Sequence, residues 1–155
     1  MSLRTLAPVA LLSTLLLAGC GAIVPMTSAK EANSPACATV TVRLPAEVAG
    51  QAKRETNAQA TGAWGTPASI LLHCGVAVPG PTTLPCVEIN GIDWIEDDKE
   101  KPLYRYTTFG RVPAVEVVVD SDKVSGTTTL VDLAGTFSQI PATERCTDLS
   151  DTFKN

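Results

Sequence analysis

Ala68-Ser69-Ile70-Leu71-Leu72-His73-Cys74, closed by Gly75, is a short, uncharged and mostly apolar run. A run of this length bounded by a breaker reads as a buried strand. Toward the C-terminus, Val87 to Ile95 reads as another strand, interrupted at Asn90-Gly91 by either a tight turn or a bulge. Tyr104 to Phe109 follows the charged turn Glu96-Asp97-Asp98-Lys99-Glu100-Lys101-Pro102. Ala114 to Val119 is the fourth strand, and Gly110 to Pro113 is short enough for a hairpin connection. From Thr127 to Ile140 the period becomes helical, with Leu130, Leu133, Ala134 and Phe137 on one face and Pro141 as the stop.

Toward the N-terminus the pattern is ambiguous. Between Ala36 and Gln51, Cys37, Val40, Leu44 and Val48 recur at helical spacing, and Ser34-Pro35 is a helix-start signal. Thr39-Val40-Thr41-Val42, however, alternates and is β-branched, which suits a strand, and Pro45 limits any helix through it. The expected fold class is α+β: an antiparallel sheet of about four strands, with helical segments from both ends on one face and two disulfides.

The first residues carry a different message. Arg4 precedes Leu6 to Leu17, an apolar run broken only by Ser13 and Thr14. That is too short for a membrane span, which needs about 20 apolar residues, and fits a secretory leader. Leu17-Ala18-Gly19-Cys20 closes it and resembles the cleavage motif of bacterial lipoprotein precursors. That resemblance implies a diacylglycerol thioether on Cys20, which becomes the first mature residue and holds the protein on a membrane. An ordinary leader with a chance cysteine, or an uncleaved anchor, is the alternative. The expected organisation is a signal peptide at 1–19, a lipidated flexible tether at 20–35 and one extracytoplasmic domain at 36–155.

Removing nineteen of the 155 residues leaves 136, enough for one modest core. Only Arg4 among the charged residues is lost, which takes the formal charge from −4 to −5. Mild acidity and 5% aromatic residues speak against a nucleic-acid surface, which wants clustered Lys/Arg and stacking platforms. Cys37, Cys74, Cys86 and Cys146 remain after Cys20. Four cysteines in an exported domain read as two disulfides with three possible pairings. Cys37–Cys146, joining the two ends, and Cys74–Cys86, closing a Pro/Gly-rich loop, are the expected pair. A metal site is the competing reading, disfavoured by the single histidine and the lack of a Cys-x-x-Cys pair. No metal or cofactor is expected.

Ala63-Trp64-Gly65-Thr66-Pro67, His73-Cys74-Gly75-Val76, Ile89-Asn90-Gly91-Ile92-Asp93-Trp94, Tyr106-Thr107-Thr108-Phe109-Gly110-Arg111 and Val115-Glu116-Val117 occur in that order, followed by Arg145-Cys146. Together they resemble the actinobacterial family known as domain of unknown function 3515, over roughly Pro35 to Cys146. The resemblance implies a secreted or lipid-anchored envelope protein with a shared fold and no assigned reaction. It carries no catalytic residues to this chain.

His73 is the only histidine, so acid–base chemistry near neutral pH would centre on it. Its neighbour Cys74 points to the opposite face of a strand and, once oxidised, is no nucleophile. The serine-hydrolase patterns G-x-S-x-G and S-x-x-K are missing, as is a phosphate-cradling glycine loop before a helix. Trp64 and Trp94 are candidates to line a ligand groove, against a default of core packing. Arg105 and Arg111, with Glu116, are candidates for a polar face that reads a carboxylate or sugar, against a default of surface ion pairing. Glu96 to Asp98 lacks the alternating spacing of a calcium loop and reads as a solvated turn. The leading expectation is a non-enzymatic binding or accessory module for a protein partner or cell-wall component. A small-molecule-binding lipoprotein is one alternative, and an envelope enzyme using Glu116 or Asp93 as acid or base is another.

Overall fold

In the computed structural model, which describes residues 21–146, the ambiguous N-terminal stretch opens as a helix. The helix α1 (Pro35–Val42) carries its proline in the first turn, where a missing N–H costs nothing, and it buries Cys37 and Val40. Beyond Pro45 come two short strands, β1 (Glu47–Val48) and β2 (Gln51–Arg54), joined through Ala49-Gly50, both at positive φ. Next follow β3 (Thr61–Trp64), β4 (Ile70–Val76), β5 (Cys86–Ile89) and β6 (Ile92–Glu100). The chain then forms β7 (Leu103–Thr108), β8 (Ala114–Asp120) and the helix α2 (Gly126–Phe137). Asn90-Gly91, at φ 53° and 82°, is a tight turn between two strands.

The expectation of about four strands is corrected: among the described residues eight antiparallel strands form one sheet, in the order β1-β2-β3-β4-β8-β7-β6-β5. Two four-stranded meanders lie edge to edge, joined by the β4–β8 pair. The four additional strands are β1, β2, β3 and the one gained where a turn splits an expected strand. Gln51-Ala52-Lys53-Arg54 and Thr61-Gly62-Ala63-Trp64 carry no apolar alternation, and the short β1 pairs with β2. The Asn90-Gly91 turn splits one expected strand in two. The acidic run, expected as a turn, instead extends β6 as far as Glu100.

Alternation along the central strands separates two faces. Ile70, Leu72 and Cys74 of β4, with Val115, Val117 and Val119 of β8, join one buried cluster with Trp64, Trp94 and Phe137. Both helices contribute to that cluster through Cys37, Val40, Leu130, Leu133 and Ala134. Fully burying an aliphatic side chain contributes about 1.5–3 kcal/mol, so this layer carries most of the stability.

The bridges are Cys37–Cys74 and Cys86–Cys146, with Cα separations of 5.5 and 5.8 Å. The expected pairing of Cys37 with Cys146 and Cys74 with Cys86 is therefore corrected. From β4 to β5 there are four interstrand steps, about 19 Å at 4.8 Å each, whereas a disulfide tolerates about 7 Å between Cα atoms. Because α1 packs on the core face of β4, Cys37 meets Cys74 there, and both are fully buried.

The segment expected as a flexible tether at 20–35 is also corrected from Gly21 onward. It lies as a strap along residues 54–59. Arg54 donates to the Ala22 carbonyl, Val24 N–H donates to Glu55 O at 2.9 Å, and Met26 N–H donates to Asn57 Oδ1 at 2.7 Å. Gln59 N–H donates to Ser28 Oγ at 3.0 Å, Glu31 N–H reaches Gly75 O at 3.0 Å, and Ala32 is buried in the core cluster. Cys20 and the leader lie outside the described residues. No helix among the described residues is long and apolar enough to cross a membrane.

Candidate functional site

The sheet face away from the helices is built by register. Arg54, Ala63, Leu71, Val118, Arg105 and Asp97 form one cross-strand row. Thr61, His73, Glu116, Thr107, Ile95 and Cys86 form the next. Polar side chains therefore alternate with Leu71, Val118 and Ile95, which lie outside the main core cluster.

At the centre of this face, Arg105 Nη1 donates to Glu116 Oε1 at 2.7 Å and Nη2 to Glu100 Oε2 at 3.2 Å. The Arg105 side chain is 39% exposed and that of Glu116 is 17% exposed. The pair is thus only partly screened by water, and worth about 1 kcal/mol, the upper end for exposed pairs. His73 Nδ1 lies 3.7 Å from Glu116 Oε1, beyond hydrogen-bond range, and has no other partner among the described residues. Burial pushes the imidazole below its usual pKa, Arg105 acts in the same direction, and the Glu116 carboxylate opposes them. His73 is accordingly neutral at neutral pH.

A cleft of about 300 Å³ opens between this face and the loop 77–85. It is bounded by Ala77, Pro79, Leu84, Ile95, Asp97, Arg105 and Thr107, among others. A smaller hollow of about 100 Å³, lined by Asp97, Glu100, Leu103 and Val118, adjoins the same arginine. Arg105 thus borders both. The cleft combines apolar walls with a half-exposed cation, a carboxylate and a hydroxyl. Such a surface can grip an apolar group and fix polar groups beside it.

The other sequence candidates do not gather here. Trp64 and Trp94 are fully buried. The Trp64 indole donates to Pro45 O at 3.0 Å, and Trp94 meets Phe137 edge-on at 5.5 Å between centroids. Neither indole can line a groove, which removes the tryptophan-lined pocket. Arg111 is 5% exposed and donates to the carbonyls of Phe137, the last residue of α2, and of Ile140 just beyond it, and to Gly91 O. It holds the helix end to the β5–β6 turn instead of facing a ligand. Asp93 is 4% exposed, and its Oδ2 accepts from Cys146 N–H at 3.2 Å. It is sealed by the C-terminal segment, away from Glu116. Only Arg105, Glu116 and His73 come together. Thr107 and Leu84 were not singled out by sequence reasoning, and Asp97 was read only within the solvated acidic turn; Pro79-Gly80-Pro81 signals a loop, but only the register shows which face that loop overhangs. Among the described residues no group of three or more His, Cys, Asp or Glu side chains could hold a metal ion.

The two disulfides mark an oxidising, extracytoplasmic setting for the folded domain. Residues 9–145 match the model of a family described as a protein of unknown function, DUF3515, and the chain belongs to that family. No curated protein and no solved structure matches the chain significantly.

Proposed function

We propose that this member of the DUF3515 family is a lipid-anchored envelope protein whose domain is a non-enzymatic binding module. Cys20 carries the lipid, and the cleft beside Arg105 receives a segment of a protein partner or a cell-wall component. The observation that carries the binding role is the cleft of about 300 Å³ between the loop 77–85 and the open sheet face. Leu84 and Ile95 hold an apolar group, while Arg105 and Asp97 read polar atoms on either side. The disulfides support the compartment, and the lipobox at Leu17–Cys20 supports the anchor.

Crosslinking on intact cells tests the binding role. The native protein is expected to capture a partner or wall fragment, and Thr107→Trp, which fills the cleft, is expected to lose most of that capture. Capture undiminished by Thr107→Trp and by Arg105→Ala excludes the cleft. An enzymatic reading has one observation in its favour, namely that Glu116 and His73 face the same side at 3.7 Å. It predicts turnover of an envelope substrate that His73→Ala abolishes, with capture of the partner retained.

A further inference from the structure

Lipid anchors are usually pictured on loose tethers, which let a domain tumble above the bilayer. About sixteen free residues would give a root-mean-square reach of about 20–25 Å and allow every orientation. The chain beyond Gly21 has no such freedom. The Arg54 guanidinium holds the Ala22 carbonyl and at the same time donates to Gly65 O at 2.8 Å and to Thr66 Oγ1 at 2.9 Å. A Cβ placed on Gly21 would already sit 3.8 Å from Arg54 Nε. Val24, Met26 and Ser28 continue the attachment along the loop after β2. In the sequence, Gly21 alone stands between Cys20 and the pinned Ala22. Two residues span about 7 Å at most.

We propose that this strap orients the whole domain on the membrane, setting the corner formed by Lys53, Arg54 and Thr66 against the phospholipid headgroups. The inference rests on the lipid-anchor reading of Cys20. The occupant of the corner is the bilayer, because the chain that leaves the described structure there is too short to place the lipid elsewhere. The opposite sheet edge, β5, lies six interstrand steps from β2, about 29 Å away. It points to the bulk of the envelope, and the proline loop leading into it stands well above the lipid.

The test uses the full lipidated protein bound to vesicles of phosphatidylglycerol and phosphatidylcholine that carry a headgroup quencher. A fluorophore is attached through an azido residue at Lys53 or at Glu88, so that no thiol is added. Quenching at Lys53 is expected to exceed that at Glu88 severalfold, given a separation of about 29 Å over six interstrand steps. Inserting a Gly/Ser stretch of about a dozen residues between Gly21 and Ala22 keeps the anchor but restores a free tether, and is expected to bring the two values together. Equal quenching at both sites in the native chain overturns the proposal. The Cys20→Ser protein reports separately on the anchor: if it still binds the vesicles, the lipid reading itself fails.

Discussion

Arg111 shows how a charged side chain can serve the fold alone. Its guanidinium donates to Phe137 O and Ile140 O at the end of α2 and to Gly91 O in the β5–β6 turn. Phe137 O also accepts from Ile140 N–H and Gly91 is exposed, so the buried Ile140 carbonyl is the group that relies on Arg111. Arg111→Met keeps the apolar stem and removes those donors. It is expected to lower unfolding free energy by about 1–3 kcal/mol in urea titration, the cost of one orphaned buried carbonyl. An effect under half a kcal/mol would show that water replaces the donors freely. His73 makes a different prediction. Its pKa lies below the ordinary 6.5 in the folded protein, chiefly through burial. As pH falls below 6.5, the unfolded chain takes up the proton first, so stability present at neutral pH is lost through the mildly acidic range. The urea midpoint of the native protein should therefore drop between pH 7.5 and 5 by more than that of His73→Gln. Identical slopes for the two would mean that the imidazole titrates as it does in water.

Among the elements, those that bury one clear face were legible and those held by their neighbours were not. α2 could be read from Leu130, Leu133, Ala134 and Phe137, and all four are buried. β4, β7 and β8 could be read from continuous or alternating apolar residues. β2 could not, because Gln51-Ala52-Lys53-Arg54 has no apolar face and exists as a strand through pairing on both sides. β3 could not either, because small residues leave no pattern while its surroundings bury all four positions. The disulfide pairing depended on strand order, which the spacing of cysteines does not encode. At the candidate site, Arg105 and Glu116 were legible as charges on adjacent strands, whereas Arg111 and the two tryptophans were misplaced because burial there is tertiary. The start of α2 offers a local test. Ser125 Oγ accepts from Thr128 N–H at 3.2 Å as the N-cap. Ser125→Ala should cost about 1 kcal/mol, and Ser125→Asp should restore most of it in thermal unfolding. Equal stability of the three proteins would show that the cap contributes nothing.

For the whole molecule, the informative feature is that each meander carries its own bridge. Cys37–Cys74 spans 37 positions within the first, and Cys86–Cys146 spans 60 within the second. By chain entropy each constrains the unfolded state by about 4 kcal/mol. The first also fills the core, whereas Cys86 and Cys146 are only half-buried. Removing Cys37 and Cys74 together by Ala is therefore expected to destabilise more than removing Cys86 and Cys146, although its loop is shorter. The reverse ranking in denaturant titration would mean that burial at α1 and β4 contributes little. Non-overlapping bridges also bear on biogenesis. If the polypeptide is threaded outward N-terminus first, the first two of these four thiols to arrive are true partners, and so are the last two. An oxidant that simply joined sulfurs in order of arrival would make no wrong bond. A fully reduced sample oxidised in one step has no such guide, and should pass through scrambled isomers that the cell never needs to sort.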